Sequence, residues 1–158
     1  MDPRRKALGL GPGWGAPAMA QTTLVDGLGG PVDYGTQCLG SNDDGSSRVI
    51  DLAPIFPTGL QFFDRTHTSM YVNTNGNITF SGELSTYTPE AFPVADQPMI
   101  APYCADVDIR VGTERSGPGG GTGYAGDCED PSSNGVWWHL EPAARRVIVT
   151  WDRVGYYA

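Results

Sequence analysis

The stretch Met70-Tyr71-Val72-Asn73-Thr74-Asn75-Gly76-Asn77-Ile78-Thr79-Phe80 decides the fold, because its turn residues and its apolar residues constrain each other. Asn75-Gly76 lies between two runs of β-favouring residues, which is a strong signal for a β-hairpin. A two-residue loop at Asn75-Gly76 would mix apolar and polar side chains on both faces. A three-residue loop, with Gly76 in the left-handed conformation of a G1 bulge, instead pairs Val72 with Ile78 and Met70 with Phe80.

The three-residue loop divides this hairpin into an apolar face and a polar face. A one-residue slip would turn every side chain to the opposite face, so the apolar pattern favours this register. The polar face then carries Tyr71, Asn73, Asn77 and Thr79. A single apolar face predicts a hairpin in a sheet that packs on another layer, with Asn75 and Gly76 as its structural turn.

A second hairpin is predicted in residues 136–151. A four-residue loop at 142–145 places six large apolar side chains on one face and a Glu141–Arg146 pair on the other. The six are Val136, Trp138, Leu140, Val147, Val149 and Trp151. At roughly 1.5–3 kcal/mol per fully buried side chain, this face is a main source of stability, whereas the exposed pair contributes a few tenths of a kcal/mol. We expect both apolar faces to share one dry interior.

The composition is that of a loop-rich β protein with an acidic surface. The 158 residues suit one domain, and 22 glycines and 13 prolines interrupt the short apolar runs. The net charge of −8 argues against nucleic acid and anionic membrane surfaces as partners. No apolar run approaches the ~20 residues of a membrane-spanning helix. The predicted fold is all-β, an antiparallel β-sandwich-like module with long Gly/Pro-rich loops.

Three segments are expected along the chain. Residues 1–20 form a signal-like or disordered leader, with a basic start and the small-x-small pattern Ala18-Met19-Ala20 of a cleavage site. Residues 21–50 form a polar N-terminal segment. Residues 51–158 form the β domain. Within that domain we expect a Pro-rich loop over the sheet, a return to the sheet between 99 and 107, and a flexible Gly-rich insertion at 111–135.

The three cysteines, Cys38, Cys104 and Cys128, are an odd number. In a secreted chain this predicts one disulfide and one leftover thiol. A Cys104–Cys128 bond would close the Gly-rich loop between them, and this is the pairing that we favour. The spacing does not suit a zinc site.

Asp106 and Asp108 are the candidate metal ligands. Two residues apart on a strand, they would point to the same side, and Asn42, Asp43 and Asp44 offer further hard oxygens for Ca²⁺. The other interpretation is that these carboxylates are solvated or cap turns by accepting hydrogen bonds from backbone N–H groups. No cofactor other than calcium is expected.

Motifs for catalysis are weak. Residues 121–126 match G-x-G-x-x-G, but no helical pattern follows, so a phosphate site is not predicted. His67 and His139 belong to no catalytic motif, and we expect ordinary, partly exposed histidines. Asn77-Ile78-Thr79 is an N-glycosylation sequon, which we interpret as plain strand sequence. We predict no catalytic residue and no enzymatic activity.

Five pieces of the sequence, taken together and in order, carry a family resemblance. They are residues 69–76 (Ser-Met-Tyr-Val-Asn-Thr-Asn-Gly), 85–89 (Ser-Thr-Tyr-Thr-Pro), 92–93 (Phe-Pro), 100–108 (Ile-Ala-Pro-Tyr-Cys-Ala-Asp-Val-Asp) and 149–157 (Val-Thr-Trp-Asp-Arg-Val-Gly-Tyr-Tyr). In this order the pieces resemble the nidogen-like extracellular domain family, and the chain resembles that family from about Pro54 to Ala158. It departs at Cys104, where the family usually has an aromatic residue. Family domains also continue past Tyr157, so we expect this one to be incomplete.

The resemblance implies an extracellular, secreted or cell-surface, non-enzymatic module for cell–matrix adhesion. Its expected partners are extracellular or cell-surface proteins. One alternative is a carbohydrate-binding module that stacks sugars on Trp137, Tyr87 and Tyr156. The other is an enzyme that uses two of Asp106, Asp108 and Asp152 as acid and base.

Overall fold

The computed structural model describes residues 25–88, 97–110 and 135–155, and these form an antiparallel all-β fold. The strands in this part of the chain are β1 Gln37–Cys38, β2 Ile50–Asp51, β3 Leu60–Phe62, β4 Arg65–His67, β5 Ser69–Asn73, β6 Asn77–Thr79, β7 Met99–Ile100, β8 Gly135–Glu141 and β9 Arg146–Asp152. A four-stranded sheet has the order β2-β5-β6-β7, a three-stranded sheet has the order β1-β8-β9, and β3 pairs with β4. All of these pairings are antiparallel. The predicted sandwich-like, all-β fold class is confirmed.

Strands β5 and β6 form the hairpin predicted from the opening stretch. Val72 pairs with Ile78 and Asn73 with Asn77, which leaves a three-residue loop. Gly76 in that loop has a φ of 80°, the left-handed conformation of the predicted bulge. Ile78 also pairs with Ile100 of β7. The chain therefore re-enters the sheet at β7, but residues 101–110 add no strand, although we expected the return to extend to residue 107.

Strands β8 and β9 form the second predicted hairpin in the predicted register. Trp138 pairs with Val149, Leu140 with Val147, and Val136 with Trp151. The loop at 142–145 is closed by a hydrogen bond from the Arg145 N–H to the Pro142 carbonyl. Glu141 and Arg146 form the expected ion pair.

The two sheets pack on one apolar core. Its buried members are Leu39, Ile50, Leu52, Met70, Val72, Phe80, Val107, Ile109, Val136 and Trp138. Ile78 and Trp151 pack against them, so the shared interior predicted for the two hairpins is confirmed. The Trp151 Nε1–H also donates a hydrogen bond of 3.2 Å to the Asn73 carbonyl, which ties β9 to β5.

The polar N-terminal segment contributes to both sheets. Cys38 in β1 pairs with Trp137 in β8, and Ile50 in β2 pairs with Met70 in β5. Leu39 lies in the core. Residues 37–51 therefore fold together with the later strands.

The polar face of the first hairpin is buried, whereas we expected only the apolar face to be buried. Asn73, Asn77 and Thr79 are inaccessible to solvent. The reason is that loops cover this face: the Ser46 hydroxyl and the Leu84 N–H both donate hydrogen bonds to Asn73 Oδ1, at 2.6 and 3.2 Å. Asn77 therefore lies inside the protein, as strand sequence and not as an accessible glycan acceptor.

Trp137 differs from expectation in a similar way. It lies on the opposite face of β8 from Trp138, yet only 3% of it is exposed, beside β1. Trp137 cannot serve as a surface platform for sugars. Tyr87 is exposed, while Tyr156, the leader at 1–20 and the insertion with its 121–126 motif lie outside the described residues, apart from Gly135 at the end of the insertion.

Candidate functional site

The turn of the first hairpin is buried under two loops. Thr74 and Asn75 are inaccessible to solvent, and residues 103–105 lie directly over the turn. The Tyr103 N–H donates to the Gly76 carbonyl, and the Ala105 N–H donates to the Asn75 carbonyl. A hairpin loop is normally exposed, so this burial marks the turn as an organising centre.

Asn75 connects the turn to three other segments through its side chain. Its Oδ1 accepts a hydrogen bond of 2.8 Å from the Val107 N–H. Its Nδ2 donates to Asp44 Oδ1 at 2.8 Å and to the Thr86 carbonyl at 3.3 Å. One amide thus sets the positions of Asp44 and of the chain that carries Asp106.

The acidic turn at 42–45 is held by Asn42. Its Oδ1 accepts hydrogen bonds from the Gly45 N–H and from the Thr74 hydroxyl, and its Nδ2 donates to the Gly40 carbonyl. The Asn42 carbonyl accepts from the Ile109 N–H at 2.9 Å. These bonds place Asp43 and Asp44 beside residues 106–110.

Three carboxylates converge where these loops meet. Asp43, Asp44 and Asp106 each present an oxygen, and the three oxygens lie within 4.8 Å of one another. Asp43 is buried, and the other two are half-buried. We call these three residues the acidic cluster.

Arg110 lies at the inner side of the acidic cluster and is itself buried. Its Nη2 donates to Asp43 Oδ2 at 3.1 Å, and its Nε donates to Asp108 Oδ1 at 3.0 Å. Nη2 also donates to Asp108 Oδ2 at 3.0 Å, a bidentate arrangement. Asp108 is therefore committed to Arg110 and stands apart from the acidic cluster.

One carboxylate oxygen of Asp43 lacks a hydrogen-bond partner among the described residues. Only 9% of the Asp43 side chain is exposed, and Oδ1 has no hydrogen-bond partner in the described part of the chain. Because most buried polar atoms in proteins have a partner, an orphaned carboxylate oxygen is unusual.

The local electrostatics disfavour negative charge here. Burial, reinforced by repulsion from Asp44, raises the pKa of Asp43 to about 6, although Arg110 acts in the opposite direction. Burial also raises the pKa of Asp106, with further repulsion from Asp44 and Asp108. Among the described residues, Arg110 pairs with Asp43 and Asp108, and Asp44 and Asp106 lie close to Asp43.

The predicted metal ligands are brought together only in part. Asp106 joins Asp43 and Asp44, but Asp108 turns to Arg110 because residues 105–110 form no strand that would align it with Asp106. The roles of Arg110 and Asn75 were missed, since each depends on partners more than 30 residues away. The sequence did indicate Asp43 and Asp44, which it offers as further oxygen ligands.

The predicted disulfide is wrong. Cys104 is a free, half-buried thiol, and Cys38 is the disulfide-bonded cysteine. Cys104 lies beside the turn, where the Asn77 Nδ2–H group points to its Sγ at 3.9 Å. Its partner in the prediction, Cys128, lies outside the described residues.

The two histidines do not join the acidic cluster. His67 is buried with its ring 4.6 Å from that of Phe80, and its Nε2 has no hydrogen-bond partner in the described ranges. His139 is half-buried in β8, as expected, whereas His67 is more buried than expected because it packs on the core.

Comparison with known proteins adds a family. The model of the family described as "Nidogen-like domain" matches residues 68–158. Alpha-tectorin of Gallus gallus is 47% identical over 66 residues, which are 41% of this chain and 3% of that protein. Nidogen-2 of Mus musculus is 41% identical over 78 residues, 48% of this chain and 5% of that protein.

A third relative, nidogen of Drosophila melanogaster, is 30% identical over 103 residues, 62% of this chain and 8% of that protein. The chain therefore spans between 3% and 8% of the length of these curated relatives. No solved structure matches the chain.

Proposed function

The chain belongs to the nidogen-like domain family, and from this premise we propose that it is an extracellular, non-enzymatic module that serves in cell-surface or cell–matrix adhesion through protein–protein contacts. The match of the family model to residues 68–158 carries the proposal. Relatives named alpha-tectorin and nidogen match 41% and 62% of the chain.

The cysteine chemistry supports an extracellular location. Cys38 is disulfide-bonded, and disulfides persist mainly in oxidising compartments such as the extracellular space. None of the described residues forms a helix long and apolar enough to cross a membrane.

The surroundings of the polar side chains support a non-enzymatic role. The two aspartates considered beside Asp106 as acid and base are engaged, Asp108 by Arg110 and Asp152 by Arg153. The ring of His67 packs against the ring of Phe80, which is an apolar core residue and not a nucleophile. These contacts favour structural roles for the groups that an enzyme would use.

Phe63 is the strongest candidate for a contact residue. It lies in the turn between β3 and β4, and 84% of its surface is exposed. Its φ of 52° is uncommon for an aromatic residue. A large aromatic side chain held in the open at a cost in backbone strain suits a protein contact, where aromatic residues are enriched.

An adhesion assay tests the proposal. Wells coated with the full 158-residue chain are expected to retain adherent mammalian cells above albumin-coated wells. Phe63→Asn should reduce adhesion by at least half while the chain stays folded, because Asn tolerates positive φ and the substitution removes one ring contact, that with Phe62. Val49→Asn removes another exposed apolar side chain and is the matched control, expected to adhere like the parent.

Two results would contradict the proposal. Adhesion no greater than on albumin would remove the adhesive role. Adhesion abolished by deglycosylating the cells, together with binding on a glycan array, would instead support the carbohydrate-binding alternative.

A further inference from the structure

We propose that Asp43, Asp44 and Asp106 form a Ca²⁺-binding site at the buried turn of the first hairpin. Their oxygens lie within 4.8 Å of one another. Calcium binds oxygen ligands at 2.3–2.6 Å, so two ligands of one ion lie at most about 5 Å apart. The acidic cluster already has this spacing. The inference does not depend on the proposed adhesive function.

The orphaned oxygen of Asp43 points independently to a ligand. Its Oδ2 accepts a hydrogen bond from Arg110, whereas the buried Oδ1 has no partner in the described residues. Buried carboxylate oxygens are normally hydrogen-bonded or coordinated to a cation. A cation at the acidic cluster would give Oδ1 the missing interaction.

The excess of negative charge at the acidic cluster favours a cation that carries more than one positive charge. Arg110 is shared between Asp43 and Asp108, so its single charge is already committed. Asp44 and Asp106 have no ion-pair partner in the described part of the chain. Burial raises the pKa of Asp43 and of Asp106, and repulsion from neighbouring carboxylates raises both further.

The site is held in place before any ion binds. Asn75 Nδ2 fixes Asp44, and Asn75 Oδ1 fixes the Val107 N–H next to Asp106. The Asn42 turn fixes the neighbouring Asp43. Asp44 and Asp106 are half-buried, which leaves room for water to complete the six to eight ligands of Ca²⁺. Calcium suits this irregular set better than Mg²⁺, which demands near-ideal octahedral geometry.

Calorimetry and thermal unfolding test the site. The full chain, freed of metal with EDTA and dialysed, is titrated with CaCl₂ and separately with MgCl₂. We expect one Ca²⁺ per chain and a rise in melting temperature on the order of 4 °C at saturation. No heat and no shift with CaCl₂, or tighter binding of Mg²⁺ than of Ca²⁺, would overturn the proposal.

Asp106→Asn is the decisive variant. No described residue donates a hydrogen bond to Asp106, so the substitution removes a ligand charge without breaking a contact. We expect Ca²⁺ affinity to fall at least tenfold, while the metal-free melting temperature stays the same or rises because a repelled charge is gone. The matched control is Asp64→Asn, an exposed carboxylate in the β3–β4 turn. Equal Ca²⁺ affinity in the two variants would overturn the site.

Asp44→Asn provides a second reading that keeps the hydrogen bond from Asn75, because the substituted amide can still accept through its oxygen. It should also lose Ca²⁺ affinity at least tenfold while it folds like the parent. Retention of full affinity in this variant would count against the assignment of ligands.

Discussion

At the residue scale, Gly76 and Asn75 have different tasks in one turn. Gly76 supplies a backbone conformation, with a φ of 80°, that side chains with a Cβ resist. It also lets Tyr103 approach: a Cβ at this position would lie 1.5 Å from the Tyr103 carbonyl oxygen. Asn75 supplies hydrogen bonds to the surrounding loops. The dipeptide therefore sets both the hairpin and what packs over it.

Substitution of Gly76 is expected to be severely destabilising. Gly76→Ala combines left-handed strain with a clash against backbone, so we expect a loss of about 3 kcal/mol or more in the free energy of unfolding. Urea denaturation measures it.

Gly29→Ala is the matched control for Gly76→Ala. Gly29 has the same φ of 80°, but no atom lies within 4 Å of the position of its Cβ. It should lose only about 1–2 kcal/mol, the cost of strain alone. Equal losses in the two variants would show that Tyr103 does not lie against the turn.

At the scale of strands, the two hairpin registers were predictable because local information determines them. Val72 opposite Ile78 follows from turn chemistry and alternation within 11 residues. The burial of Asn73 and Trp137 was not predictable in this way. Each is covered by a segment outside its own hairpin: the loops that carry residues 46 and 84 cover Asn73, and β1 covers Trp137. From the sequence alone, a polar side chain on a strand is predicted to face solvent, because the loop that covers it is not known.

Separation in the sequence also explains why the candidate site was predicted only in part. Asp106 was identified because acidic residues at short spacing are visible in the sequence. Its true neighbours, Asp43 and Asp44, come from a loop more than 60 residues earlier, and Arg110 takes Asp108 away. The ion pair between residues 43 and 110 depends on the packing of two loops far apart in the sequence, which the sequence pattern does not contain.

The buried polar face of β5 and β6 yields a prediction of its own. Asn73 exchanges four side-chain hydrogen bonds, accepting from Ser46 and Leu84 and donating to Asn77 and Thr79. Asn73→Ala removes a hydrogen-bond partner from each of these buried groups, so we expect a loss of about 2–4 kcal/mol. Thermal or urea unfolding gives the value.

Glu141→Ala provides the comparison for Asn73→Ala. It breaks the partly exposed pair with Arg146 and should cost less than about 0.5 kcal/mol. If Asn73→Ala is as mild as Glu141→Ala, the hydrogen-bond network does not exist in solution.

At the scale of the whole molecule, the core joins segments from both ends of the described chain. Leu39 near the beginning and Trp138 near the end lie in one cluster, and the Trp151 indole bonds to β5. The family match begins only at residue 68, so β1, β2, β3 and β4 lie before it. The strands ahead of the matched region are nevertheless part of its packing.

The oxidation state of the two described cysteines gives a prediction for the whole molecule. Alkylation of the unfolded chain without reductant should label Cys104 and leave Cys38 unlabelled, because only Cys104 is a free thiol among the described cysteines. Reduction should then expose Cys38 and lower the stability of the folded chain by about 2–4 kcal/mol. Peptide mass spectrometry identifies the labelled residues. Labelling of Cys38 before reduction would contradict the disulfide.

The burial of Asn77 has a consequence for biosynthesis. A sugar chain on this residue is incompatible with the native packing, because its amide nitrogen points to Cys104 Sγ and the Asn75 carbonyl in a space closed to solvent. Closure of the hairpin and attachment of an oligosaccharide are thus competing fates of one nascent polypeptide. In a glycosylating host, a chain that folds slowly would receive a sugar at Asn77 and could then no longer close the hairpin. The yield of folded protein therefore depends on how quickly the turn closes.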